Sequence, residues 1–151
     1  NAELRIELEA MRETGKRIAL TNGCFDVIHA GHVSYLREAA SLADILIVGV
    51  NSDEQVKLQK GEDRPIYSLS ERMEILAELQ CVSLVTSFTE PTANNLISLV
   101  RPHVYIKGGD YQPHEINEAV LLKELGVEVA VVAERPGLSS TNVVAKMRSD
   151  S

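Results

Sequence analysis

His29 and His32 stand three residues apart around Gly31, directly after the turn-forming run Thr21-Asn22-Gly23-Cys24-Phe25-Asp26 and at the start of an amphipathic pattern. Histidines at i and i+3 share one face of a helix. The first turn of a helix presents unpaired backbone N–H groups and a partial positive charge to an anion. Gly31 would let that anion come close to the backbone. These residue types at this spacing point to phosphate chemistry. The plainer alternative is a pair of ordinary surface or core histidines, and the position at a strand-to-helix turn weighs against it.

The elements that must hold the two histidines follow from the apolar pattern. Residues 2 to 13 place Leu4, Leu8 and Met11 at helical spacing, and Gly15-Lys16 breaks that leading helix. Ile18-Ala19-Leu20 reads as a strand, residues 31 to 42 as a helix and residues 45 to 50 as a buried strand. A short helix is expected over 53 to 60, then the loop Gly61 to Pro65, then a helix capped by Ser68 or Ser70. Further along, a strand is expected over 82 to 86 and a helix over 91 to 100 with Pro91 in its first turn. The pattern closes with a strand over 104 to 106, a helix over 114 to 125, a strand over 127 to 132 and a last helix capped by Ser139-Ser140-Thr141.

Strands alternating with helices, several of them continuously apolar, predict an α/β fold of Rossmann-like, three-layer type with a five-stranded parallel sheet. Ligands in such sheets bind at the carboxyl ends of the strands, where the strand order reverses. The segments after the first, fourth and fifth strands carry the glycines, hydroxyls and basic groups, so one edge of the sheet is expected to gather them. At 151 residues the chain reads as a single domain, with 1–15 as the leading helix and 16–147 as the core. Asn1 in place of an initiator methionine implies a trimmed chain or a piece of a longer one.

A formal charge of −7, from 22 acidic and 15 basic residues, gives no long-range positive field to gather nucleic acid. An anionic ligand must then meet a local basic cluster. Membrane spans are not expected, since no apolar run has the length required. Two cysteines, Cys24 and Cys81, make no disulfide framework, and a reducing cytoplasm is the simplest setting.

Thr21 to Asp26, His29 to Leu36, Val50 to Asp53, Arg64-Pro65, Glu71 to Met73 and Lys107 to Tyr111 resemble, in this order, the nucleotidyltransferase superfamily with the His-x-Gly-His signature. Within it they are similar to the adenylyltransferase domains that make ADP-heptose from D-glycero-β-D-manno-heptose 1-phosphate, a step toward the lipopolysaccharide core. The likeness runs from about Lys16 to Met147. It departs at Leu138-Ser139-Ser140-Thr141, where the family usually has Ser-Thr-Thr; a serine in the middle keeps the hydroxyl and loses a methyl group.

The resemblance implies transfer of AMP from ATP to a phosphorylated acceptor with release of pyrophosphate. The acceptor phosphate is itself a nucleophile, so positioning and electrostatic stabilisation are the protein's work. His29 and His32 would grip α- and β-phosphate oxygens, more strongly if protonated. Lys60, and less directly Lys57, would reach the polyphosphate or the acceptor; a solvated helix face is the alternative for both. Arg72 would fork onto the acceptor phosphate, or else pair with Glu71 or Glu74.

Gly23, Cys24, Phe25 and Gly31 are expected against the nucleotide, with Asp26 orienting a neighbouring backbone or histidine. Lys107 and Gly109 would face the same cleft. Asp110 would take ribose or adenine, unless it is a turn residue only, and Ser139, Ser140 and Thr141 would cradle the β- and γ-phosphates. Mg²⁺ is expected with ATP, held mostly by phosphate oxygens and water. The resemblance further implies a homodimer as a common arrangement, and a sugar kinase, fused or separate. Three rivals stand beside it: a zinc module built on Cys24, His29, His32 and Cys81, a nucleotide-binding regulatory protein, and sister enzymes acting as glycerol-3-phosphate or phosphoethanolamine cytidylyltransferases or FAD synthetases.

Overall fold

In the computed structural model, which describes residues 2–109, 112 and 116–133, five parallel strands form one sheet. The strands are β1 (Ile18–Gly23), β2 (Ile45–Asn51), β3 (Leu84–Phe88), β4 (Val104–Gly108) and β5 (Glu128–Val132), in the order β3-β2-β1-β4-β5. β2 is buried along its whole length, as a continuously apolar central strand must be. Thr21 of β1 registers with Val48 on one side and Ile106 on the other, so β1 lies at the centre and shares its carboxyl edge with β4. The chain steps outward from β1 to β3 and then crosses back to β4. That reversal creates the crevice between β1 and β4.

The reversal also sorts the helices, because a right-handed crossover places its helix on opposite faces for opposite directions of travel. Here α1 (Ala2–Glu13), α5 (Asn94–Val100) and α6 (Ala119–Leu125) cover one face. Their Leu4, Leu8, Leu96, Ile97, Val100 and Leu122 pack with Ile18, Leu20 and Tyr105 of the sheet. On the other face α2 (Ala30–Ala40) and α4 (Leu69–Ala77) bring Leu36, Ala39 and Leu76 against Ala19, Leu46, Val48 and Ile106. The short α3 (Asp53–Lys60) follows β2 and buries Val56. This is the expected three-layer arrangement. None of the described helices is long and apolar enough to cross a membrane.

Element ends differ from the sequence pattern where local chemistry is weak. β3 lies two residues later than expected, at 84–88. α5 starts at Asn94 and not at Pro91, with Ala93 as an N-cap that makes no side-chain hydrogen bond. Ser68, not Ser70, caps α4, accepting from the Glu71 amide. α6 is regular only from Ala119. The expected last helix, with its Ser139-Ser140-Thr141 cap, lies outside the described residues.

Gly49 sits where β2 meets α5. A Cβ there would lie 2.4 Å from Leu96 Cδ2, well inside contact distance. Gly49→Ala is expected to destabilise the domain by about 1–3 kcal/mol through overpacking, measured as a lower urea midpoint with an unchanged slope.

Candidate active site

β1 ends in a tight turn before α2. Phe25 and Val27 hold φ of 49° and 50°, a left-handed region that non-glycine residues seldom adopt. For the β-branched Val27 this conformation carries strain, which burial of both side chains offsets. The Phe25 ring lies 5.7 Å from the His32 ring. It also explains Gly23, where an added Cβ would meet the ring at 3.0 Å. Gly23 thus makes room for Phe25, and Phe25 buttresses a histidine.

His29 is the N-cap of α2. Its Nδ1 accepts from the Gly31 amide at 3.0 Å, while His32 Nδ1 accepts from the His29 amide at 3.2 Å. The two side chains thereby form a reciprocal capping box, with ring centroids 4.0 Å apart. Of the backbone N–H groups expected to meet the anion, those of His29 and Gly31 are engaged by the histidines themselves. Each ring uses Nδ1 as an acceptor, so the neutral imidazole carries its proton on Nε2. Both rings thus carry an Nε2–H donor at one helix start.

The structure also bears on the charge of the free protein. Burial, then the charges of His29 and Lys60, lower the His32 pKa to about 4, against a smaller opposing pull from Asp26. His32 is neutral at pH 7 in the free protein. Its folded pKa lies below the unfolded value of 6.5, so its contribution to stability is complete above about pH 6.5. That contribution is lost as pH falls toward 4. In an NMR titration the His32 ring should turn over near pH 4, and added nucleotide polyphosphate should raise the midpoint, with proton uptake on binding.

Lys60 ends α3 and is exposed, yet its charge acts on both His32 and Cys24. Lys60 is thus within electrostatic reach of His32. Lys57 is exposed one turn earlier, and its carbonyl accepts from the Gly61 amide. Cys24 is buried, with Sγ 3.7 Å from Gln59 Oε1. Burial raises its pKa, against the opposing charges of Lys60, Arg72 and Arg64, so it is an inert thiol and not a nucleophile.

Arg72 is not where the acceptor-phosphate reading needs it. It is completely buried, and its guanidinium donates to the carbonyls of Cys24 (2.7 Å), Asn51 (2.9 Å) and Tyr67 (3.1 Å) and to Asp53 Oδ1 (2.7 Å). Neither Glu71 nor Glu74 is its partner in these bonds. Arg72 ties the ends of β1 and β2 to α4, and the planar five-donor fork suits that task.

Asp26 performs a similar task. Burial pulls its pKa up, but the Ile66 and Tyr67 amides and Arg64 outweigh it and hold the carboxyl below its usual range. The bonds are 2.7 Å, 2.9 Å and 2.8 Å. Both Asp26 and Arg64 are buried, and the sequence pattern gave no sign of this pair beyond the Arg64-Pro65 likeness.

Lys107 closes β4 beside β1, and Gly109, at φ 116°, donates its amide to Val132 at 3.1 Å. Asp110, Ser139, Ser140 and Thr141 fall outside the described residues. Cys81 packs against the α2/α4 core cluster. Among the described residues no three His, Cys, Asp or Glu side chains are grouped to hold a metal, which leaves the zinc module without its site.

A parallel sheet with a 3-2-1-4-5 order, and a paired-histidine helix start at its switch point, define a Rossmann-like domain of nucleotidyltransferase type. Residues 20–146 match the family model described as cytidylyltransferase-like. The chain belongs to the cytidylyltransferase-like family. It is 47% identical over 146 residues, 97% of its length, to the bifunctional protein HldE of Hydrogenovibrio crunogenus, and 44% identical over 144 residues to that of Pelobacter propionicus. It spans about 30% of the length of each of these relatives. Among solved structures it is similar to a lipopolysaccharide core biosynthesis protein from Thermoplasma volcanium, with 27% identity and a TM-score of 0.66 over 80% of this chain and 98% of that one.

Proposed function

We propose that this domain transfers AMP from ATP to a sugar 1-phosphate, D-glycero-β-D-manno-heptose 1-phosphate, giving ADP-heptose and pyrophosphate. The observation that carries the reading is the His29/His32 capping box, in which Nδ1 of each ring accepts a backbone amide and the proton sits on Nε2, at the start of the helix that follows β1. The HldE relatives and the resemblance of Lys107 to Tyr111 favour the heptose acceptor over the sister substrates.

In the reaction an acceptor phosphate oxygen bonds to the α-phosphorus of ATP as the bond to the bridging oxygen breaks and pyrophosphate leaves with that electron pair. Charge grows on the equatorial and leaving oxygens. The two imidazoles donate to these oxygens, and Lys60 adds positive charge. Asp26 and Arg72 act indirectly, by fixing the turn and the loop around it. The carboxylates of Asp26 and Asp53 are engaged by the protein, so Mg²⁺ fits this site as an ion held by triphosphate oxygens and water. When bound it neutralises polyphosphate charge.

A sugar kinase must supply the 1-phosphate, in the remaining part of a bifunctional chain or as a separate protein, and the cytoplasm, where ATP is made, is the proposed setting. The test is pyrophosphate release with Mg²⁺, crossing ATP and CTP against heptose 1-phosphate, glycerol 3-phosphate and FMN. Release with ATP and heptose 1-phosphate alone supports the reading. Turnover with another pair retains the mechanism and replaces the substrates, and nucleotide binding with no turnover in any pair would favour a regulatory protein.

A further inference from the structure

One polar cluster plays no part in this mechanism. Side chains alternate along a strand, so Asn22 lies on the same face of β1 as Leu20, opposite Thr21. Tyr105, the register partner of Leu20, is fully buried, and its hydroxyl donates to Asn22 Oδ1. The phenol therefore leans toward the carboxyl edge. With Oδ1 engaged as an acceptor, the Asn22 amide is oriented and its Nδ2 supplies two donors.

Glu118 completes the cluster. It is the N-cap residue of α6, which returns between the parallel strands β4 and β5, so its place is also the carboxyl edge. Its side chain does not cap the helix. Glu118 is 4% exposed, and its Oε2 has no hydrogen-bond partner among the described residues. After burial, which is the larger effect, the charge of Glu118 pushes the Tyr105 pKa upward, which places carboxylate and phenol near one another.

A buried carboxylate oxygen without a donor is costly, and an apolar side chain would serve the fold better. Groups of this kind call for an explanation. An ionised carboxylate only accepts hydrogen bonds and repels phosphate, so its partner must be a neutral donor. Asn22 Nδ2 offers donors in the same crevice. A hydroxyl both donates and accepts, and a vicinal diol matches an acceptor set beside a donor.

We propose that Glu118, together with Asn22 oriented by Tyr105, forms a subsite that reads a vicinal diol of a sugar at the β1/β4 switch point. The sugar is either the ribose of the nucleotide or the acceptor sugar, an identity that rests on the proposed function. The carboxylate discriminates hydroxylated from deoxy ligands, and the histidines and Lys60 handle the phosphates.

Calorimetry on wild type and Glu118→Gln, with ATP, 2′-deoxy-ATP and 3′-deoxy-ATP, tests this together with KM for the sugar 1-phosphate. If the diol is the ribose, Glu118→Gln weakens ATP binding by about 10- to 100-fold, as a lost hydrogen bond to a charged group does. The variant then no longer distinguishes ATP from a deoxy analogue that wild type rejects. If the diol belongs to the acceptor, ATP binding is unchanged and KM for the sugar phosphate rises by the same factor.

Tyr105→Phe, which releases Asn22 but keeps the ring, should show a smaller loss of the same discrimination, and it serves if Glu118→Gln fails to fold. Unchanged binding of every ligand in folded Glu118→Gln, or in Tyr105→Phe where the first variant does not fold, overturns the subsite. The nucleotide arm needs no turnover. A protein that reads the ribose through Glu118 yet is inactive with heptose 1-phosphate would refute the proposed acceptor and leave the subsite intact.

Discussion

His29→Asn should lower kcat by about 10²- to 10³-fold and leave the melting temperature almost unchanged, whereas His29→Ala should lose both activity and stability. The difference follows from the two roles of one ring. Nδ1 caps α2 by accepting from Gly31, and asparagine replaces that acceptor as well as any residue can. Alanine removes it, at a cost of about 1 kcal/mol, or roughly 2–4 °C in a domain of this size. Neither variant retains an Nε2–H group, and loss of one aimed donor at developing charge costs about 2.7–4 kcal/mol in the barrier. Steady-state pyrophosphate release and thermal melts of both variants separate the roles. Wild-type kcat in a folded His29→Asn protein would restrict His29 to helix capping and remove the main support for the mechanism.

The fold was legible because its strands are apolar runs of the right length. Ile45 to Val50 reads as a buried strand without reference to anything else in the chain. Where the signal depended on punctuation it slipped. Pro91 marks a turn here and not the first residue of a helix, and β3, with its partly exposed pattern, gave a weaker boundary than β2. The histidine pair was legible from spacing, yet its capping box was not, since histidine is not among the usual N-cap residues.

The bonds of Arg72 were not legible for another reason. Its partners at Cys24, Asn51 and Tyr67 are carbonyls, which every residue carries, so nothing in the side-chain pattern marks them. The same holds for Asp26, two of whose donors are the backbone amides of Ile66 and Tyr67. Glu118 gains its meaning only when β1, β4 and the start of α6 come together at one edge. Sequence spacing reveals chemistry that one helix presents, but not chemistry assembled from three distant loops.

Arg72→Ala is expected to destabilise the domain by about 3–5 kcal/mol, the range for removing one partner of a buried charged network. Asp53 is 46% exposed, so its share of the pairing is small. The larger loss comes from carbonyls of Cys24, Asn51 and Tyr67 deprived of a buried donor. A fall of roughly 10 °C in melting temperature follows for a domain of this size. Arg72→Lys tests the assignment further. It keeps the charge, but an ammonium group cannot reproduce a planar fork that serves four acceptors, so most of the destabilisation should remain. An arginine acting on the acceptor phosphate would give the opposite pattern, with unchanged melting and a raised KM in the lysine variant. Urea unfolding and acceptor KM, measured on the same Arg72→Lys preparation, therefore decide whether Arg72 holds the site together or touches the substrate.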